Sequence, residues 1–317
     1  MQKRILAAIL VVIMIFSFYA CKNEKNGTEV AAESDDVQRH KSGNLIGFIL
    51  PNWNNSRINV AKHSFLSTAE DVGLNAKLYI YDDTVNFNKN VDMVISEKCD
   101  GVLIYAPDVD DKTVISAIDS IESEGIRSVS LDKEFTNSSC NVITNNILND
   151  TVSYIYEHTN KSILIFSKDN EDINSINANR SDDSHIKVYN YVFIENENSE
   201  KNLISYLSNH DDIGAIYATH YSLTKIAVNA VKKTNPKIII IGSEITATNK
   251  RMLANGLFAI TVYPWHEMAA ESVYVIEKLL SGEKCSDIHS TVNIVNKDNI
   301  DKYSQIQQTA NDWFKVG

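Results

Sequence analysis

Polar and aromatic residues stand directly after the predicted strands of this chain, where they could bind a small polar ligand. Carboxylates, amides and an arginine can hydrogen-bond to hydroxyl groups, and an aromatic ring can stack on a flat CH face. Loops carried by a rigid scaffold are the usual place for such residues. The segments concerned are 52–57, 105–108, 132–133, 145–146, 220–221 and 243–244.

Catalytic and metal-binding signatures are missing from the sequence. It contains no G-x-S-x-G elbow, no Walker loop, no G-x-G-x-x-G and no H-E-x-x-H. Its eight histidines, among them His63, His158, His210 and His220, show no metal-ligand spacing. No serine or cysteine is marked as a nucleophile by a neighbouring base. We therefore predict a binding protein without a cofactor rather than an enzyme.

Short apolar runs alternate with helical patterns, which predicts an α/β fold. The run 45–50 ends at Pro51, and apolar residues from Ile58 to Val72 then recur at helical spacing until Gly73. Strands that are buried on both faces and separated by helices form parallel, doubly wound sheets. Because the cycle restarts near residue 141, we predict two similar lobes. The predicted strands are 45–50, 77–81, 101–105, 127–131, 141–144, 162–166, 188–193, 215–218 and 238–242.

Composition and charge narrow the class of partner. The chain is 44% hydrophobic and 22% charged, which is typical of a globular protein. Its net charge of −11 leaves little room for a basic face. We therefore expect no nucleic-acid partner.

Residues 1–21 have the anatomy of a secretory signal. Lys3 and Arg4 precede an uncharged stretch, 5–20, and the small residue Ala20 stands directly before Cys21. This arrangement resembles the lipobox of bacterial lipoproteins, in which the cysteine receives a diacylglyceryl group and becomes the new N-terminus. The two residues before Ala20, Phe18 and Tyr19, are bulkier than is usual there.

Two alternatives for this segment stay open, an uncleaved membrane anchor and an ordinary signal with an incidental cysteine. A spanning helix needs about 20 apolar residues, more than the stretch 5–20 supplies. We predict a signal peptide over 1–20 and a polar tether over 21–43 that begins at a lipidated Cys21. The protein would then act outside the cytoplasm, anchored to a membrane.

The other cysteines are Cys99, Cys140 and Cys285. Three is an odd number, so a disulfide framework does not hold this fold together. Cys99 lies in the apolar end of a helix pattern and is predicted to be a buried small residue. A bridge between Cys140 and Cys285 stays open.

Four segments, taken in order and at their spacing, resemble the type I periplasmic sugar-binding proteins, the ribose-, galactose- and xylose-binding group that serves ABC importers. The resemblance implies two Rossmann-like lobes joined by three crossing segments, with the ligand in the cleft. It places 44–144 and 263–290 in the N-terminal lobe, and 145–262 and 291–317 in the C-terminal lobe. The segments are IGFILPNWNNSRINVAKHSFLSTAEDVG (46–73), KCDGVLIYAPDVDD (98–111), GIRSVSLDKE (125–134) and NGLFAITVYPWHEMAAESVYVIEKLLSGEK (255–284).

The same resemblance implies a function and a set of ligand-binding residues. The protein would be a monomer that captures a small polar solute, in the simplest case a monosaccharide, and delivers it to an ABC permease. The alternative partner is a membrane histidine kinase or chemoreceptor that responds to ligand closure. The residues implied are Trp53, Arg57, Tyr105, Asp132, Lys133, Asn146, Arg180, His220 and Glu244.

Structural roles are the alternatives for several of these residues. Trp53 could cover the start of a helix, and Arg57 could be an exposed first-turn residue. Asp132 could cap a turn, and a lone histidine such as His220 is often structural. The region 167–186 is shorter and more polar than its counterpart in the family. Asn174 or Arg180 is the expected ligand contact there.

Overall fold

The computed structural model describes residues 43–169, 187–194, 196 and 198–314, and every structural statement here concerns those residues. The predictions for the signal peptide, the tether, Cys21, Asn174 and Arg180 lie outside them. The strands are β1 Leu45–Pro51, β2 Asn75–Tyr81, β3 Gly101–Ile104, β4 Arg127–Leu131, β5 Cys140–Thr144, β6 Ser162–Ser167, β7 Val188–Val192, β8 Ile213–Ala218, β9 Ile239–Ser243, β10 Ala259–Val262, β11 Ile288–Ser290 and β12 Asn293–Val295. The helices are α1 Ser56–Asp71, α2 Thr84–Ser96, α3 Asp111–Ser123, α4 Ile147–Tyr156, α5 Ser199–Ser208, α6 Tyr221–Lys233, α7 Ala247–Leu253, α8 Trp265–Leu280 and α9 Ile300–Trp313.

The strands form two six-stranded sheets with the same internal order. The first runs β11-β5-β4-β3-β1-β2 and the second runs β12-β10-β9-β8-β6-β7. The described pairs are parallel except β10 with β12, which is antiparallel. The predicted doubly wound fold in two lobes is confirmed.

Each lobe is one sheet covered by helices on both faces. In what we call the first lobe, Phe48, Phe65 and Met268 pack β1, α1 and α8 together on one face of the sheet. The helices α2 and α3 cover the other face, where Phe87 and Ile118 are fully buried. What we call the second lobe is built in the same way from the sheet β6–β10 with β12 and the helices α4–α7.

Polar caps fix where the helices begin, just beyond the carboxyl ends of the strands. The Asn55 side chain accepts from the Ile58 amide at the start of α1, and Asp110 does the same for Thr113 at the start of α3. Each cap satisfies an amide that the helix itself leaves unpaired. His220 and Thr246 cap α6 and α7 in the second lobe. The strand-to-helix loops are therefore held at the edge where ligands bind in parallel sheets.

Three segments cross between the lobes, as the resemblance implied. The chain passes from β5 to α4 through 145–146, from β10 to α8 through 263–264, and from β11 to β12 through 291–292. The first and third lie side by side, since the Asn145 amide donates to the Ser290 carbonyl at 2.8 Å. In addition, the Val292 amide lies 3.3 Å from the Asp150 carboxylate.

The last helix, α9, contacts both lobes. At its start, Ile300 is buried in the second-lobe core. Towards its end, the Asn311 side chain pairs with Asn59 at 3.2 Å and with Ser56 at 3.1 Å, both on α1 of the first lobe. The Trp313 ring lies edge-on to His63, also on α1, at 4.7 Å. α9 is therefore a fourth connection between the lobes.

The cysteines that the structure describes are free thiols. Cys99 is buried, as predicted, while Cys140 and Cys285 are not bonded to each other. Burial, with Cys285 nearby, raises the pKa of the Cys140 thiol to about 11. Within the described ranges, the helices are all too short or too polar to cross a membrane.

Candidate ligand-binding site

Two carboxylate residues occupy equivalent places in the two lobes. Asp132 follows β4 and Glu244 follows β9, and their backbones are left-handed, with φ of 68° and 65°. The Asp132 amide donates to Val142 at 2.8 Å, and the Glu244 amide donates to Thr261 at 2.9 Å. Left-handed backbone is uncommon for residues other than glycine, although aspartate tolerates it better than most, and such residues are found at ligand-binding sites. The repeated geometry turns one carboxylate from each lobe out of its sheet.

Arg57 connects the lobes at this point. It lies in the first turn of α1, and its guanidinium forms an ion pair with Glu244 of the second lobe. The Asn249 side chain fixes the Glu244 loop by donating to the carbonyls of Ser243 and Glu244, at 2.9 and 3.0 Å. The ion pair is partly exposed, so a ligand can reach it.

Asp132 is tied to the second crossing segment. Its carboxylate accepts a hydrogen bond from the Tyr263 hydroxyl, while Thr144 Oγ1 lies 2.6 Å from that hydroxyl and 3.1 Å from Asp132 Oδ1. Burial raises the pKa of Asp132 above its ordinary value, and these hydrogen bonds and the charge of Arg57 act against that rise. Burial, followed by the Asp132 charge, raises the pKa of Tyr263. The tyrosine therefore stays protonated and donates.

A row of aromatic rings borders these polar groups. Trp53, 39% exposed, lies edge-on to the buried Tyr105 with ring centres 6.2 Å apart. Tyr105 lies edge-on to Trp265 at 5.0 Å, and Trp265 stacks on Tyr263 at 4.8 Å with an interplanar angle of 22°. Such rings offer flat apolar surfaces beside hydrogen-bonding groups.

His220 faces the same region from the second lobe. Its Nδ1 lies 2.8 Å from Ser222 Oγ and 3.3 Å from the Ser222 amide, which fixes the ring at the start of α6. Burial, and after it the charge of Lys168, lowers the pKa of His220, so the ring is neutral near pH 7. Nε2 has no hydrogen-bond partner among the described residues, which leaves it for a ligand.

Electrostatic coupling links five of the predicted residues. The charge of Arg57 acts on Tyr105, Asp132 and His220, and Arg57 itself is paired with Glu244. Four of these side chains follow strands that lead into helices, Asp132 lies in the loop between β4 and β5, and together they come from both lobes. The geometry thus brings together Arg57, Tyr105, Asp132, His220 and Glu244, with Trp53 beside them.

Two predicted residues point elsewhere. The Lys133 amino group pairs with Asp111 and lies 5.5 Å from the centre of the Phe135 ring, on the α3 side of the sheet. The Asn146 side chain caps α4 by accepting from the Asn149 amide at 3.1 Å. Each therefore has a local structural role in this conformation.

A cavity of about 520 Å³ opens between the lobes at the ion pair. Its volume lies within the range of about 300–1,000 Å³ that is usual for small-molecule sites. Sequence reasoning missed several of its residues, among them Tyr263, Trp265 and the α9 residues Tyr303, Ile306 and Gln307. The Y-P-W segment after β10 was the available signal, since aromatic residues follow a strand there. The wall also includes Asn55, Ser56, Arg57, Val60, His220, Tyr221, Glu244, Ile245, Thr246, Val262, His266, Glu267 and Asn293.

A second, more open cavity of about 630 Å³ lies at the other end of the second sheet, beside His158, Lys161 and Gly214. Ligands of parallel sheets bind beyond the carboxyl ends of the strands, and this cavity is at the amino ends. We therefore assign the site to the interlobe cavity. No group of three or more His, Cys, Asp or Glu that could hold a metal occurs within the described part of the chain.

No protein-family model matches the chain, and no curated protein sequence matches it either. Solved structures do match over most of its length. A mutant of the XylFII-LytSN complex is 20% identical, with a TM-score of 0.64, and covers 81% of this chain and 99% of its own. The periplasmic ribose ABC transporter from Conexibacter woesei is 13% identical, with a TM-score of 0.65, and covers 83% and 95%.

AraP, an arabinose binding protein from Geobacillus stearothermophilus, is 15% identical, with a TM-score of 0.61, and covers 83% of this chain and 99% of its own. At these identities the likenesses establish the fold. The chain has the two-lobed fold of the type I periplasmic sugar-binding proteins, which confirms the resemblance at that level.

Proposed function

We propose that this chain is an extracytoplasmic solute-binding lipoprotein that captures a monosaccharide and delivers it to an ABC importer. The observation that carries the proposal is the contact of Arg57 with Glu244 across the cleft, over a cavity that also holds His220. Asp132 and the aromatic row complete a set of acceptors, donors and flat surfaces. That set matches a sugar, which presents many hydroxyls and one or two CH faces.

The polar groups of the site pair with one another across and within the lobes. Arg57 neutralises Glu244, and Tyr263 donates to Asp132. A sugar hydroxyl can replace each partner, because it both donates and accepts. Contacts to both lobes then favour the closed conformation, which is a shift of population. We propose that the protein is a monomer whose lobes, 44–144 with 263–290 and 145–262 with 291–317, close on the ligand.

A thermal-shift screen of pentoses, hexoses and nucleosides against purified residues 43–317 tests the proposal. Binding only to the folded state adds about 2.7 kcal/mol of stability when the ligand concentration is a hundredfold above its dissociation constant. We expect at least one sugar to raise the melting temperature in a dose-dependent way. A flat response to the whole panel would exclude the sugar-binding function.

A second candidate function is ligand sensing for a membrane histidine kinase or chemoreceptor. The likeness to XylFII-LytSN favours it, because that structure is a complex of two proteins. The two functions share the binding step and differ in the partner. Co-purification of the closed, sugar-bound protein with a permease supports transport, and co-purification with a receptor supports sensing.

A further inference from the structure

The interlobe cavity has an apolar part beyond the polar groups that a sugar requires. Val60 lies one helical turn after Arg57, and Ile245 directly follows Glu244, so each member of the ion pair has an apolar neighbour in the cavity wall. Val262 and Ile306 add to this surface. All four side chains are partly buried. A monosaccharide on the ion pair would leave this part of the cavity unfilled.

Helix α9 forms the far wall of this part. Ile306 and Gln307 lie three and four residues after Tyr303, which places both beside it on one face of the helix, and all three line the cavity. The Gln307 side chain lies 3.5 Å from the Ile245 carbonyl, and the Tyr303 hydroxyl donates to Asn293 at 3.1 Å. These contacts of Tyr303 and Gln307 hold this face of α9 in place against the cavity.

We propose that the preferred ligand is a glycoside with a flat apolar or aromatic aglycone, rather than a free sugar. The sugar ring contacts Arg57, His220 and Glu244, and the aglycone packs between Val60, Ile245 and Ile306. The inference rests on the proposed sugar-binding function and specifies its substrate class.

The test compares D-ribose, D-xylose, D-glucose and D-galactose with their phenyl β-glycosides by titration calorimetry on the purified protein. We expect at least one phenyl glycoside to bind at least tenfold more tightly than its parent sugar. Ile306→Asn should reduce that advantage below threefold. Ile115→Asn is the matched control, since Ile115 is an exposed helical isoleucine on α3 outside the cavity, and it should keep the full advantage.

The outcomes separate the inference from the function on which it rests. If a parent sugar binds and its phenyl glycoside binds no better, the inference is wrong and the sugar-binding function stands. An advantage that survives Ile306→Asn also overturns the inference, because the aglycone would then lie elsewhere. If neither sugars nor glycosides bind, the proposed function itself fails and the inference fails with it.

Discussion

Arg57 of the first lobe and Glu244 of the second form an ion pair across the ligand cavity. Their side chains are 51% and 34% exposed, so water screens the attraction, and such pairs contribute at most about 1 kcal/mol to stability. The contact matters for another reason, since it joins the two lobes directly, in addition to the crossing segments, α9 and the hydrogen bond from Asn293 to Glu267. The ion pair therefore favours conformations in which the two lobes are close together.

We predict that Glu244→Gln opens the ligand-free protein without destabilising it. Loss of the ion pair should leave the free energy of unfolding within about 1 kcal/mol of the wild type and raise the radius of gyration measured by small-angle scattering. The matched control is Glu200→Gln, which breaks a similarly exposed pair with Lys233 inside the second lobe. An unchanged radius in Glu244→Gln would mean that the ion pair does not hold the lobes together.

We predict that Asp132→Asn changes how stability depends on pH. Folding raises the pKa of Asp132, chiefly through burial, so the folded protein holds this proton more tightly than the unfolded chain. The free energy of unfolding of the wild type should therefore fall, relative to the variant, as the pH rises from about 4 through the raised pKa. Urea unfolding at a series of pH values measures this difference.

The control for that experiment is Asp212→Asn, because folding shifts the pKa of Asp212 in the opposite direction. Burial by itself would raise the pKa of Asp212, but hydrogen bonds from Ser162 and Tyr189 lower it overall. Its contribution to stability is present above the unfolded pKa and disappears as the pH falls. The free energy of unfolding of the wild type should thus rise, relative to that of Asp212→Asn, as the pH rises. The same trend in both variants would refute the assignment for Asp132.

The repeated fold was predictable because each strand is an apolar run buried on both faces. The run that became β1, for instance, is apolar from Leu45 to Leu50 and its end is marked by Pro51. Helix α9 was missed for the opposite reason. Only Ile300 and Ala310 are buried in it, since its remaining contacts are divided between two lobes and a cavity.

The site was only partly predictable because sequence position does not determine where a side chain points. Asp132 and Lys133 are neighbours, yet the left-handed backbone at Asp132 sends one towards Tyr263 and the other towards Asp111. Tyr263 was missed because β10, the strand that it follows, was not among the predicted strands. Its role appears only when the lobes are assembled.

We predict that Trp53→Ala weakens sugar binding about tenfold and leaves folding intact. The ring is 39% exposed beside Tyr105, so it contributes little burial and offers a surface for stacking. Trp53→Phe should retain most of the affinity. Tyr274→Ala removes an aromatic ring of similar exposure on α8 and should change nothing. If the wild type and Trp53→Ala bind the sugar with equal affinity, Trp53 does not contact the ligand and only covers the start of α1.

We predict that Cys21→Ser abolishes incorporation of labelled fatty acid into the protein expressed in a bacterial host. The cysteine thiol of a lipobox is the site of lipid attachment, which here is Cys21. Stable anchoring requires more than one acyl chain. Cys285→Ser is the control and should still be labelled. Labelling that survives Cys21→Ser would show that the motif is not a lipidation site.

Titration calorimetry of Asp132→Ala and Glu244→Ala tests most directly the claim that one ligand bridges both lobes. The titrant is the sugar with the largest thermal shift, and Glu200→Gln is the folded control. Charge-assisted hydrogen bonds are worth about 1.5–3 kcal/mol each, so each alanine variant should bind about ten- to a hundredfold more weakly. If either variant binds the sugar as tightly as the wild type, the ligand does not bridge the two carboxylates.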